Sequence, residues 1–101
     1  MSNMKSAEIQ DFFKAILTLE NLGECEKFFE DICTIKELDA ISQRLNVAKM
    51  LDKGIVYTEI AQKTGASTAT ITRVNRAKNF GAGGYDLVLE KLEKVQNREG
   101  I

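Results

Sequence analysis

Between Tyr57 and Arg76 the chain reads YTEIAQKTGASTATITRVNR, and the spacing of its small residues leaves few ways to fold. Two short helices that cross steeply need a small side chain on the first where the second passes over it, and Ala61 fills that place. Gly65, four residues later, suits the left-handed turn that closes the first helix, a conformation other residues adopt only at a cost. Ile60, Ile71 and Val74 then fall on the inward faces. Thr68, Thr70, Thr72, Arg73 and Arg76 fall on the outer face of the second helix, which is short, polar and cationic, as a surface entering a DNA groove must be. The spacing predicts a helix-turn-helix. The plainer reading is two amphipathic helices with a glycine between them, common in all-α proteins.

Charge placement favours the first reading. The whole chain carries 14 basic and 15 acidic residues, a balance that by itself argues against nucleic acid. Residues 1–52 hold six basic and ten acidic side chains, residues 53–78 five and one, and residues 79–101 three and four. The positive charge is therefore concentrated on the candidate reading unit. Lys53, Lys63, Arg73, Arg76 and Lys78 can neutralise phosphates locally, while the acidic remainder limits indiscriminate binding to polyanions.

At 101 residues, 44% of them hydrophobic and 29% charged, the chain fits one globular domain. No apolar run is long enough to span a bilayer, and MSNMKSAEIQ lacks the apolar core of a signal peptide, so a cytoplasmic location is expected with no membrane partner. Cys25 and Cys33 fall on one helical stretch about 12 Å apart, too far for a disulfide. They read as reduced, packed thiols. Without histidine, and with only these two cysteines, a metal site of ordinary ligand type has no ligands. No metal and no cofactor are expected. The same lack leaves no nucleophile–base pair, so an enzyme is not expected, although a carboxylate pair formed only by folding stays open.

Proline is absent, and apolar residues recur at three- and four-residue intervals, so the fold class is all-α with about six helices. The first is expected over about Ser6–Leu22, with Ile9, Phe12, Phe13, Ile16, Leu17 and Leu19 as its apolar stripe and Asn21 and Gly23 as its stop. The second spans about Glu24–Cys33 and buries Phe28, Phe29 and Ile32. Thr34-Ile35-Lys36-Glu37 is a capping box opening the third, which runs to Gly54. Ser67 is placed to cap the second reading helix, whereas Val56 stands where many reading units have a hydroxyl cap on the first, a loss of about 1 kcal/mol. The first reading helix is thus expected to be stable only when packed. Asn79–Gly84 reads as a flexible glycine-rich connector, lacking the strand and the lysine-serine/threonine signature of a phosphate loop. Asp86 then starts the last helix. The expected organisation is a single domain with dimerisation helices over 1–53, the helix-turn-helix over 54–78, and the connector with a C-terminal helix over 79–101.

The first two helices carry more large apolar residues than a small domain readily covers, since a chain this short buries only about two-thirds of its unfolded surface. A homodimer is expected in preference to an ordinary monomer core. It would set two reading helices at a spacing of about 34 Å, matching successive major grooves of double-stranded DNA.

From about Glu37 to Leu92 the chain resembles the Trp repressor family, above all its YerC/YecD branch. The strongest match is Thr64-Gly65-Ala66-Ser67-Thr68-Ala69-Thr70-Ile71-Thr72-Arg73, where the repressors carry leucine-glycine-alanine and then alanine-threonine-isoleucine-threonine-arginine. A weaker match is Asp39-Ala40-Ile41-Ser42-Gln43-Arg44. The resemblance implies a six-helix chain, an intertwined homodimer built by the N-terminal helices, and operator binding. It also implies that Ser67, Thr68, Ala69 and Thr70, with Thr72, meet base edges and phosphates.

In the repressors two arginines sandwich the indole of the corepressor tryptophan, and Arg44 and Arg73 match them. Val74 stands where the repressors have glycine, and Ala77 where a serine contacts the ligand. Val74 pushes two methyl groups toward the indole's place, and Ala77 lacks the serine hydroxyl, which leaves a buried polar group unpaired at about 1 to 3 kcal/mol. Tryptophan is therefore a poor candidate. The possible effector pocket of Arg44, Arg73, Val74 and Ala77 either holds another anionic or planar molecule, or Val74 is simply core and the arginines pair with neighbours such as Asp39 and Glu37.

The reading that joins these observations is a DNA-binding transcriptional regulator, a repressor acting as a homodimer on a palindromic operator. Thr68, Thr70 and Thr72 read or position, and Lys63, Arg73, Arg76 and Lys78 anchor the backbone. The alternative is a protein-interaction or scaffold dimer whose helix-turn-helix does not read DNA.

Overall fold

In the computed structural model, which describes residues 5–99, the chain forms six helices: α1 (Ala7–Ile16), α2 (Leu22–Ile32), α3 (Ile35–Asp52), α4 (Tyr57–Thr64), α5 (Thr68–Phe80) and α6 (Gly84–Glu99). The described residues contain no strand. The all-α expectation holds, and the helices group into two units, Met1–Leu38 and Asp39–Ile101.

In the first unit, α1 is capped by Ser6, whose hydroxyl accepts from the Ile9 N–H at 3.3 Å. The helix ends at Ile16, not at Leu22 as its apolar stripe suggested. Asn21 is the reason. It is extended, and its side chain accepts the Glu24 N–H at 2.9 Å, so it starts α2 instead of stopping α1. The residues between tighten into a turn, with the Thr18 hydroxyl donating to the Ala15 carbonyl. Gly23 sits inside the first turn of α2, where an added Cβ would crowd the Asn21 Oδ1 at 3.3 Å. Its smallness gives the cap room. Phe12 and Phe28 pack with ring centroids 6.2 Å apart, and Phe28 meets Phe29 edge-on at 5.4 Å. Even so, neither α1 nor α2 has a buried residue. Leu17 and Leu22 are 83% and 76% exposed, which leaves this unit short of the burial that holds helices together. Cys25 and Cys33 are free, half-buried thiols.

The capping box is present: the Thr34 N–H donates to Glu37 Oε1 at 2.7 Å, and the Glu37 N–H to Thr34 Oγ1 at 3.1 Å. The carboxylate's bond to that backbone N–H, helped by the threonine hydroxyl, holds the Glu37 pKa below the usual glutamate value.

The core lies in the second unit. Val47 and Ala48 of α3, Ile60 of α4, Ala66 of the turn, Ile71 and Val74 of α5 and Leu89 of α6 are all buried together. Each fully buried large side chain is worth about 1.5 to 3 kcal/mol relative to exposure, so Val47, Ile60, Ile71 and Val74 dominate the packing. Half-buried Ala61 packs against this cluster, the place foreseen for a small residue.

The end of α5 differs from expectation. The helix continues through Phe80, and α6 begins at Gly84, so the connector shrinks to Gly81, Ala82 and Gly83. Gly81 caps α5 so tightly that a Cβ there would overlap the Ala77 carbonyl oxygen. Half of the six-residue joint read from the glycines, Asn79, Phe80 and Gly84, is helix.

Candidate nucleic-acid interface

The two ends of α4 are held very differently. At its start Val56 supplies no side-chain hydrogen bond, as its chemistry requires. At its end Gly65 adopts φ +74° and donates to the Ala61 carbonyl at 2.9 Å. Thr64 reinforces this turn: its hydroxyl donates to the Ile60 carbonyl at 2.7 Å and accepts the Ala66 N–H at 3.1 Å. From α3, the side-chain amide of Gln43 donates to the Thr64 carbonyl at 3.0 Å. The helix-turn-helix is thus fastened at its turn by a residue outside it. Gln43 lay within the weaker family match, but no local pattern pointed to this partner 21 positions away.

Past the turn, Ser67 caps α5, its oxygen accepting the Thr70 N–H at 3.1 Å while its hydroxyl donates to Thr70 Oγ1 at 3.1 Å. Inward-facing Ile71 and Val74 are 0% and 1% exposed. That burial fixes the rotation of α5 and leaves Thr68, Ala69, Thr72, Arg73 and Arg76 exposed, with Thr70 half-buried. Ala69, Thr72, Arg73 and Arg76 follow helical spacing and line one open cleft of 360 Å³. The first turn of α5 carries no acidic residue, so its N-terminal N–H groups present an unopposed positive field.

The cations divide into three kinds. Arg73 and Arg76 are exposed and form no ion pair among the described residues. Lys63 pairs with Glu59 at 2.9 Å, but both side chains are about half exposed. Such a pair is worth only about 0.3 to 0.5 kcal/mol, so exchange for a phosphate costs little. Lys78 is different. Its ammonium lies 3.2 Å from Asp52 and 3.0 Å from Asp86, with its side chain only 13% exposed. Hydrogen bonds to Asp86 first and then to Asp52 raise its pKa above the usual lysine value. Expected as a backbone anchor, it has two carboxylates as its partners instead.

The four effector-pocket candidates are not brought together within the chain. Val74 is core. Arg73 lies on the cleft just described. Arg44 and Ala77 line a separate, mainly apolar groove of 600 Å³ with Ile41, Leu45, Gly81, Ala82, Gly84, Tyr85 and Val88. Arg44 forms no ion pair with Asp39 or Glu37. No described helix is long and apolar enough to cross a membrane.

A glycine-closed pair of helices with a buried crossing and a cationic outer face defines the class of helix-turn-helix proteins. The profile of the Trp repressor protein family matches residues 7–93, and the chain belongs to that family of DNA-binding regulators, which are not enzymes. It is 42% identical over 96 residues to YerC of Bacillus subtilis, covering 95% of this chain and 92% of that one. It is 38% identical over 63 residues to a Trp operon repressor homolog of Actinobacillus succinogenes, covering 61% and 62% of the two chains. Among solved structures, a TrpR-like protein from Eubacterium eligens superposes with a TM-score of 0.86 at 53% identity, covering 89% and 93%.

Proposed function

We propose that this protein is a cytoplasmic transcriptional regulator, a repressor that binds a palindromic operator in double-stranded DNA as a homodimer. The observation that carries the reading is the exposed face of α5, where Thr72, Arg73 and Arg76 with Ala69 stand opposite the buried Ile71 and Val74. Arg73, Arg76 and Lys63 anchor phosphates. Ser67, Thr68, Thr70 and Thr72 meet bases and backbone near the helix start. Threonines make no bidentate match to a base, so part of the specificity comes from DNA shape and bridging water.

The dimer is supported by the first unit, where α1 and α2 have no fully buried residue while Leu17, Leu22 and Ile35 lie open. Any effector is a molecule other than tryptophan. Arg44 and Arg73 line different cavities, Val74 belongs to the core, and Ala77 offers no hydroxyl.

The test is selection of bound sequences from a random duplex pool at low and physiological salt, with the oligomeric state measured by sedimentation. Enrichment of a two-fold-symmetric site by a dimer is the expected result. Absence of binding at both salts would favour a protein-interaction dimer, and binding without an enriched site would leave a nonspecific basic surface.

A further inference from the structure

Three helix ends meet at Lys78. Asp52 is the last residue of α3, Lys78 lies in the last turn of α5, and Asp86 lies in the first turn of α6. Helix fields favour a cation at the end of α5 and an anion at the start of α6, but they oppose an anion at the end of α3. Asp52 is therefore placed against its own helix, and the Lys78 ammonium 3.2 Å away offsets that cost. The bridge to Asp86 spans the Gly81–Gly83 connector and ties α5 to α6 across it. With 13% of its side chain exposed, Lys78 is less open to solvent than Arg73 and Arg76, although Asp52 and Asp86 are both more than half exposed.

We propose that Lys78 is a positioning residue which, by joining Asp52 and Asp86, fixes the tilt of α5 relative to α3 and α6, and does not touch phosphate. The inference rests on the reading of α5 as the DNA-contacting helix.

The experiment uses the full chain with Lys78→Met, Lys78→Arg and the double substitution Asp52→Asn/Asp86→Asn. Affinity for duplex DNA is measured across a salt series. Lys78→Met and the double substitution should each weaken binding about three- to tenfold, in the range of coupled neighbours, with the slope of log affinity against log salt unchanged. Lys78→Arg should restore most of the loss. A lysine that contacts phosphate behaves in the opposite way: its removal flattens the slope by about 0.9, and neutralising the two aspartates tightens binding. Either result overturns the proposal. Unfolding of the same proteins separates the clamp from the DNA reading, because melting shifts of Lys78→Met and Asp86→Asn should be non-additive without any DNA. Non-additive shifts in a protein that binds no DNA would sink the DNA reading and keep the clamp. Additive shifts sink the clamp. Should Lys78→Met fail to fold, the double substitution decides through the sign of its effect on DNA affinity.

Discussion

The side-chain amide of Gln43 donates to the Thr64 carbonyl across 3.0 Å, so a helix outside the reading unit holds the turn at its centre. The bond is half-buried, and losing it leaves a carbonyl without its partner. Gln43→Leu should lower stability by about 1 to 2 kcal/mol, read as a shift of the urea midpoint with the slope of the transition unchanged.

Gly65 has nothing within 4 Å of where a Cβ would stand, so space does not dictate its identity. Its φ of +74° does. Gly65→Ala should cost about 1 to 2 kcal/mol, and Gly65→Asn less, because asparagine tolerates the left-handed region. Equal losses for the two substitutions would contradict a backbone origin.

Arg73 and Thr70 should separate anchoring from reading. Arg73→Ala is expected to weaken binding to every duplex and to flatten the salt slope by about 0.9. Thr70→Ala should cost roughly tenfold on a selected site and little on random duplex. An equal loss on both DNAs for Thr70→Ala would remove its reading role.

Acid should loosen the start of α3. The folded-state pKa of Glu37 is lowered by its bond to the Thr34 N–H, so its contribution is complete above the ordinary glutamate range and disappears as pH falls through the lowered value. Melting of the wild type and of Glu37→Gln should therefore differ at neutral pH and converge in acid. A gap that persists at the lowest pH would assign the effect to something other than this carboxylate.

Much of the fold was legible because its signals are local. Thr34 and Glu37, Ser67 and Thr70, and Gly65 each act within four residues, and Ile60, Ile71 and Val74 declare their burial by helical spacing. Asn21 is ambiguous in sequence because the same residue type ends one helix and starts another, and Glu24 three positions on marks it as the cap of α2. The glycines after α5 suggested freedom, since a glycine's composition does not show whether a helix runs up to it. Gln43 with Thr64, and Asp52 with Lys78, are joined across 21 and 26 positions, and no periodicity reports such pairs. The excess positive charge of residues 53–78 is plain in the sequence, but whether a lysine faces solvent or a carboxylate depends on tertiary structure.

A helix pinned at one end unravels from the other. Thr64, Gly65 and Gln43 fasten the C-terminal end of α4, while Val56 leaves its start uncapped and is itself 62% exposed. Opening of α4 should therefore begin in its first turn, where the Ile60 N–H to Val56 carbonyl bond closes the helix. The turn before α5 should persist through such openings, so α5 keeps its place while the first turn of α4 opens.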